Sequence, residues 1–292
     1  MAERNAKLIL MVGVLGVSAS AILVRFSQAP SGVTAAYRLG WTVLLLLPVV
    51  LLRCRAELRR VTARDLVLCG ASGVLLALHF LTWFESLKRT SVASSTVLVS
   101  TEVIFTAMGF ALFLHGKIPR LGVWAILLAF GGSALLALSG GGGAGELSGN
   151  LLALATASAA AVYTLIGRVQ RGHLSTTVYT FLTYLACFLT LLLGTAAAGT
   201  PLTGYGGREW LIGLALAVLC TLLGHSLFSW CLKYLSPSYV SAAKLCEPVF
   251  SSLAAIPLFG EVPGPLQLAG GAAVLGAVLL YTWAECEKTP AG

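Results

Sequence analysis

The chain of 292 residues is 58% hydrophobic and only 10% charged, whereas soluble domains carry about 25% charged residues. A chain this apolar cannot hide its surface in its own core, so it requires lipid as solvent. The net charge of +8 does not indicate a nucleic-acid partner, because the basic residues stand mainly in short segments between apolar runs. The positive-inside rule explains that distribution, and the composition predicts a polytopic membrane protein.

The apolar residues form runs of about 20 residues, the length that crosses a bilayer as a helix. The first run passes Ser18-Ala19-Ser20, which resembles a signal-peptidase site, but it continues to Val24 and we count it as a span. Runs this long and continuous predict helices rather than barrel strands. Ten spans are predicted, at roughly 7–24, 33–52, 66–86, 92–114, 120–139, 149–167, 174–194, 209–230, 237–258 and 265–284.

The Lys and Arg residues predict the direction of these spans. Ten spans place both termini on one side of the membrane. If that side is inside, thirteen of the 19 basic residues lie inside, four lie outside, and Arg38 and Lys244 lie within spans. This imbalance favours both termini in the cytoplasm and a multi-pass protein of the plasma (inner) membrane.

The seven cysteines include no CxxC pair, and most lie within apolar runs, where a thiol behaves as a small hydrophobe. A disulfide framework or a metal site is therefore not expected. The sequence also has no P-loop, no GxSxG and no dinucleotide fingerprint. We predict no enzyme and no cofactor, and any active transport must use an ion gradient, substrate exchange or the substrate's own gradient.

The two halves of the chain carry the same marks. A glycine-rich segment suggests a division into a first repeat at 1–140, a flexible linker at 141–148 and a second repeat at 149–292. With an offset of 145 residues, and of 144 after one deletion, the matched pairs are Leu87/Leu232, Lys88/Lys233, Glu102/Glu247, Phe105/Phe250, Leu114/Leu258, Gly116/Gly260, Pro119/Pro263 and Gly132/Gly276.

A stripe of small residues is also repeated, in the fifth and tenth spans. Small residues four apart let helices approach closely in lipid. The two stripes are Ala125, Ala129 and Ser133, and Ala269, Ala273 and Ala277.

Each predicted repeat has five spans, and five is an odd number. The second repeat therefore starts on the opposite side of the membrane, and the halves are inverted copies. Inverted repeats suit alternating access, with a substrate site near the midplane between the halves. The predicted fold is an all-α membrane protein of ten transmembrane helices, arranged as two inverted five-helix repeats around a central cavity.

Two stretches resemble the EamA-type drug/metabolite transporter superfamily. They are residues 87–95, LKRTSVASS, and the segment from Glu247-Pro248-Val249-Phe250 to Leu258-Phe259-Gly260-Glu261. Each motif is short, but their order, spacing and duplication cover nearly the whole chain. The resemblance implies a ten-helix bundle that transports small organic solutes, often by export.

The first half departs from this family pattern. In the family, each half carries a proline in its fourth helix and a Gly-Glu at that helix's end. Val103 and Lys117 stand at these places in the first half, whereas Pro248 and Glu261 keep the pattern in the second. We therefore expect the two fourth helices to behave differently.

Three charged residues inside spans are candidates for substrate contacts, because charge is costly in a bilayer. Glu102 lies midway along the fourth span, and Lys244 and Glu247 share a face of the ninth. Pro248 leaves the carbonyl of Lys244 without its helical partner, which predicts a kink. One hypothesis is that Lys244 binds an anionic group while the two glutamates bind an amine or carry a coupling proton. The alternative is a purely structural ion pair.

The other candidates each have a structural alternative. We favour a snorkelling role for Arg38, with a guard of the cavity mouth as the alternative, and we expect Arg25 to be an interfacial anchor. The histidines either line the cavity or join helices, and the aromatic residues either form a cavity wall or belong to the interfacial belt or packing. These candidates are His79, His225, Trp83, Trp230 and Tyr163.

The sequence thus predicts a secondary transporter for a small organic metabolite, such as an amino acid or related solute, with export favoured. An uncoupled facilitator and a membrane-embedded enzyme are the alternatives. The predicted partners are the small-molecule substrate, the lipid bilayer and a coupling proton, with no nucleic acid.

Overall fold

The computed structural model describes residues 2–113, 120–139, 144–170, 172–225, 227 and 245–286, and over these residues the secondary structure is entirely helical. The helices are α1 Ala2–Phe26, α2 Ser31–Arg53, α3 Arg55–Leu58, α4 Ala63–Arg89, α5 Val92–Val99, α6 Glu102–Phe113, α7 Arg120–Ser139, α8 Ala144–Gln170, α9 Thr176–Ala197, α10 Gly207–Ala215, a π-helix Leu216–His225, α11 Cys246–Phe259 and α12 Pro265–Cys286.

Eight helical stretches among the described residues are long and apolar enough to cross a membrane, and two further apolar helices, Arg120–Leu136 and Cys246–Phe259, are shorter. These two occupy the positions of the fifth and ninth predicted spans. The chain is therefore an all-helical, multi-pass membrane protein, and the number ten stays a prediction.

Polar residues at the predicted ends of spans define where several helices begin and end. Thr62 caps α4 in a reciprocal capping box with Asp65, and Ser91 and Ser175 cap α5 and α9. These hydroxyls accept hydrogen bonds from first-turn N–H groups, which have no partner inside the helix. At the end of α11, Gly260 adopts the left-handed conformation, with φ of 69°, which glycine reaches without steric cost.

The fourth span is interrupted, which the sequence did not predict. Ser100 and Thr101 separate α5 from α6. Their hydroxyls donate to the carbonyls of Thr96 and Leu98, at 3.1 and 2.6 Å, and such back-bonding bends helices. The break makes Glu102 the first residue of α6. The eighth span also departs from a regular helix, because α10 continues as the π-helix.

The predicted small-residue stripes bring α7 and α12 together. Ala125, Ala129 and Ala277 are buried, and a Cβ at Gly132 would lie 2.9 Å from the carbonyl oxygen of Gly270. The prediction for Ala269 was wrong, because that residue is exposed. Gly270 makes the contact instead, so the face of α12 that contacts α7 is shifted by one residue from the predicted stripe.

Many of the helix contacts have a counterpart in which the equivalent helices of the two predicted repeats have exchanged places. α4 packs on α8 as the π-helix packs on α1, α4 packs on α9 as α10 packs on α2, and α6 packs on α8 as α11 packs on α1. The pairs α2/α9, α5/α11 and α7/α12 each join equivalent spans of the two halves. This pattern is what two similarly built halves, related by an approximate twofold exchange, would produce.

Candidate functional site

Arg38 lies at the centre of the bundle, where several helices converge. Its side chain is 2% exposed. Nε donates to Thr221 Oγ1 and Nη1 donates to Ser20 Oγ, both at 3.0 Å, and the guanidinium carbon stands 4.5 Å from the centre of the Phe80 ring. The favoured snorkelling interpretation was therefore wrong, because helices α1 and α4 and the π-helix enclose the charge.

The surroundings of Arg38 are mostly neutral. Among the described residues, no carboxylate lies within ion-pair distance of its guanidinium. Glu247 is within electrostatic reach, together with Tyr184, Cys187 and Cys220. A buried charge requires hydrogen bonds and a countercharge to offset its desolvation, and the two hydroxyls supply only the hydrogen bonds.

Glu102 is a second charged group in this region, and it lies at the start of α6, the second part of the interrupted fourth span. Its Oε1 accepts a hydrogen bond from Thr164 of α8 at 2.8 Å. Because Glu102 begins α6, the positive end of the helix dipole favours negative charge there. Glu247 has a similar place in the first turn of α11, so the predicted equivalence of these two glutamates extends to their position within a helix.

His79 lies near both charges. Its Nδ1 donates to the carbonyl of Thr156 at 3.3 Å, and its ring is within electrostatic reach of both Glu102 and Arg38. The next residue, Phe80, is the one that stacks on Arg38. Helix α4 therefore places a titratable side chain within electrostatic reach of both a buried cation and a carboxylate.

The aromatic candidates border this region. Trp83 is 6% exposed, with its ring 6.1 Å from that of His79, so it does not belong to the interfacial belt. Its buried Nε1 has no hydrogen-bond partner among the described residues. Tyr163 is half-buried next to Thr164 and within electrostatic reach of Glu102. The structure thus gathers Arg38, His79, Trp83, Glu102 and Tyr163 in one part of the bundle.

The second-half candidates are only partly covered by the structure. Lys244 and Trp230 lie outside the described residues, and His225 ends the π-helix without a described side chain. Pro248 is the third residue of α11. The kink predicted at the carbonyl of Lys244 falls outside the described residues.

One end of the bundle, the Arg25 end, is held by an ion pair between the halves. Arg25 contacts Glu261 at 2.5 Å and also donates to the carbonyl of Leu87 at 2.5 Å. The second carboxylate oxygen of Glu261 accepts the N–H of Val92 at 2.7 Å. The interfacial role expected for Arg25 stays a prediction, and in the structure its guanidinium contacts these acceptors.

A second contact at the Arg25 end, the Glu209 latch, consists of Glu209, Ser27 and Gln28. Glu209 is 3% exposed. Its carboxylate accepts from Ser27 Oγ at 2.6 Å and from the backbone N–H of Gln28 at 3.0 Å. This latch joins the start of α10 to the turn after α1.

The opposite end of α4 carries an equivalent contact, the Asp65 latch of Asp65, Gln170 and His173. Asp65 accepts from Gln170 Nε2 at 3.1 Å and from His173 Nε2 at 2.6 Å. This latch joins the start of α4 to the end of α8 and the turn after it. We call this side of the bundle the Asp65 end.

The two latches occupy equivalent places in the two halves. Asp65 and Glu209 are 144 residues apart, and Gln28 and His173 are 145 apart, which are the offsets of the duplication. Sequence reasoning missed them, although the repeated Arg-acid pair at Arg64 and Arg208 was visible. No group of three or more potential metal-ligating side chains converges within the described ranges.

The comparisons with known proteins agree with this architecture. A model of the EamA-like transporter family matches residues 5–138 and 147–283. The pseudopaline exporter CntI of Pseudomonas aeruginosa (strain UCBPP-PA14) is 23% identical over 207 residues, 71% of this chain and 72% of the relative. A probable terminal-alkyne amino-acid exporter of Streptantibioticus cattleyicolor is 27% identical over 233 residues, 76% of this chain and 75% of the relative.

A solved crystal structure supports the fold. It superimposes with a TM-score of 0.63 at 19% identity, covering 98% of this chain and 99% of its own.

Proposed function

Because this chain belongs to the EamA-like transporter family, we propose that it is a secondary transporter that exports a small amino-acid-like metabolite by alternating access between two inverted repeats. The chain is a multi-pass membrane transporter and not an enzyme, and its substrate is a small molecule. The two relatives are named for the export of pseudopaline and of an amino acid, which favours export and an amino-acid-like solute here.

The observation that carries the proposal is the pair of latches at opposite ends of the bundle. Each latch joins the first half to the second, and their carboxylates, Asp65 and Glu209, occupy equivalent places. Alternating access requires that one end opens while the other stays closed. Equivalent polar contacts between the halves at both ends are suited to that exchange, because water can replace their hydrogen bonds when an end opens.

The substrate site in this proposal lies between the latches, around Arg38, His79 and Glu102. Trp83 and Tyr163 form its aromatic wall. The remaining proposed contacts, which extend the site into the second half, are Lys244, Glu247, His225 and Trp230.

Solute counterflow in proteoliposomes tests the proposal. Vesicles containing the purified chain are loaded with an unlabelled amino acid, and uptake of the labelled compound is followed. A carrier gives a transient overshoot of label, because the unlabelled substrate leaving the vesicle drives exchange. Flux without an overshoot would instead identify an uncoupled facilitator, and no flux with any solute in the set would contradict transport.

Coupling to a proton is part of the proposal, with Glu102 and Glu247 as its carriers. Glu102→Gln and Glu247→Gln are expected to abolish uptake driven by a pH gradient and to weaken, without abolishing, exchange at equal pH, because both residues lie in the proposed substrate site. Glu146→Gln, at the start of α8, serves as the control. If both central variants keep the pH-driven uptake of the parent protein, the glutamates do not carry the proton.

The proposed orientation places both termini on the cytoplasmic side of the plasma (inner) membrane. Inversion of the repeats then requires the segments near Lys117 and near Glu261 to lie on opposite faces. Reporter fusions or membrane-impermeant labelling of single cysteines at these two places measure this directly. Labelling of both from the same side would exclude inverted repeats.

A further inference from the structure

We propose that Arg38 binds a carboxylate of the substrate and that Glu102 binds its ammonium group, so that the transported metabolite is a small zwitterion held across His79. This inference rests on the proposed transport function and deepens it. It moves the anion-binding role from Lys244, where the sequence suggested it, to a residue of the first half.

The first argument is the contrast between two arginines that face the interior. Arg25 has a carboxylate at 2.5 Å although its side chain is 25% exposed. Arg38 is 2% exposed, yet its hydrogen bonds go to the hydroxyls of Ser20 and Thr221. Burial of a charge without a carboxylate at ion-pair distance is costly, so the more deeply buried arginine is the one with more to gain from an incoming anion.

The second argument is that the guanidinium is held in place and keeps a donor available. The Thr221 hydroxyl donates to the carbonyl of Leu216 at 3.3 Å, five residues earlier in the π-helix, and accepts from Arg38 Nε. Ser20 fixes Nη1 and Phe80 covers one face. Nη2 has no hydrogen-bond partner among the described residues. A donor fixed before binding costs little entropy when it meets a carboxylate.

The third argument is the position of a matching negative group. Glu102 uses one carboxylate oxygen for Thr164, and within the described part of the chain its other oxygen has no partner. It forms no ion pair there with Arg38, although both act electrostatically on His79. Glu102 is partly buried and Arg38 fully buried, and two opposite charges that are not paired with each other are complementary to a ligand that carries both.

Nearby groups add donors for the body of such a ligand. The buried Nε1 of Trp83 lacks a partner among the described residues, and its ring contacts His79. A buried donor without a partner is uncommon in native proteins and requires an explanation. A polar ligand that contacts Glu102 and passes His79 would supply one.

The experiment compares matched compounds on the purified full-length chain. The probes are the twenty common L-amino acids, each with its α-amide, which lacks the carboxylate, and its decarboxylated amine. Binding is measured as a rise in melting temperature in detergent, because a ligand of the folded state raises apparent stability. We expect at least one amino acid to stabilise the protein while its amide and its amine do so much less.

Variants then assign the carboxylate preference to a residue. Arg38→Gln is expected to weaken binding of the amino acid by about tenfold to hundredfold, the size of a lost charge-assisted hydrogen bond, while binding of the amide hardly changes. Arg53→Gln removes an exposed charge from the same helix and is expected to change neither. If Arg38→Gln does not fold, Arg38→Lys keeps the charge and is expected to keep the preference with weaker binding.

Several results would overturn the inference. Equal stabilisation by amino acid and amide in the parent protein would do so, as would an unchanged preference in folded Arg38→Gln. Stabilisation by none of the twenty amino acids would also count against it. Counterflow of a purely cationic or neutral solute would overturn this inference and leave the transport function standing. Amino-acid binding without counterflow would support this inference and contradict the transport function.

Discussion

The two ends of the bundle carry the same type of latch in different surroundings. At the Arg25 end, Glu209 is 3% exposed and an additional ion pair, Arg25 with Glu261, closes the same side. At the Asp65 end the carboxylate is as deeply buried, with Asp65 4% exposed, but its partner His173 has a side chain that is 52% exposed. Equivalent positions in the two halves therefore produce contacts of unequal strength, since solvent weakens polar contacts that it reaches.

This inequality has a consequence for the transport cycle. A symmetric pair of repeats would open equally well at either end, whereas a difference of 1.4 kcal/mol between the end contacts changes the ratio of the two open states about tenfold. We expect the Asp65 end to open more readily. With the proposed orientation, that end faces the cytoplasm, where an exporter meets its substrate.

The largest effect is expected when either end is prevented from opening. In a background without the native cysteines, Ser27→Cys with Glu209→Cys bridges the Arg25 end, and Asp65→Cys with His173→Cys bridges the Asp65 end. Oxidation is expected to stop counterflow completely in both pairs, because alternating access needs both ends to open. Reductant should restore it. Continued counterflow in either oxidised pair, with the disulfide verified by mass spectrometry, would show that this latch does not part.

A smaller effect is expected when the additional ion pair is removed. Glu261→Gln weakens the contacts to Arg25 and to the N–H of Val92 and is expected to shift the population toward opening at the Arg25 end by about tenfold. Spin labels at Arg89 and Val262, which are both exposed, report the separation of the halves. A distance distribution identical to that of the parent protein would show that the pair does not control this end.

The stability of the two latches should differ in the same direction. Glu209→Ala leaves the Ser27 hydroxyl and the Gln28 N–H without their acceptor in a buried place, which costs about 1–3 kcal/mol. His173→Ala is expected to lower the melting temperature less, because its side chain is 52% exposed and water replaces the lost contact. Glu209→Gln keeps an acceptor oxygen and should lie between Glu209→Ala and the parent. A larger loss for His173→Ala than for Glu209→Ala would show that the Asp65 latch contributes more to stability.

Sequence patterns predicted the helices and the family because both depend on local or strictly periodic features. Long apolar runs require helices in lipid, and the family model matches both halves of the chain. The break before Glu102 was missed because neither glycine nor proline marks it, and two hydroxyls that bond back to the helix produce it.

The partners of the charged residues were less predictable. Arg38 was misjudged because its position as the sixth residue of the predicted span at 33–52 suggests snorkelling. Only the packing of α1 and the π-helix around it shows that its head is enclosed. Long-range partners such as Arg25 and Glu261, 236 residues apart, are set by the assembled bundle. The latches could have been found from the repeated Arg-acid pairs at Arg64 and Arg208, which sequence reasoning did not use.

The smallest effect is expected for a contact that resembles a latch in chemistry but not in place. Arg89 pairs with Glu85 at 3.2 Å, yet the two side chains are 48% and 36% exposed and lie one turn apart on the same helix. Such pairs contribute about 0.5 kcal/mol or less, and this one does not join the two halves. Arg89→Ala is therefore expected to leave the melting temperature and counterflow at parent levels. A clear loss of counterflow would mean that exposed charge at the Arg25 end itself contributes to gating, and the contrast between the ends would then extend beyond the buried contacts.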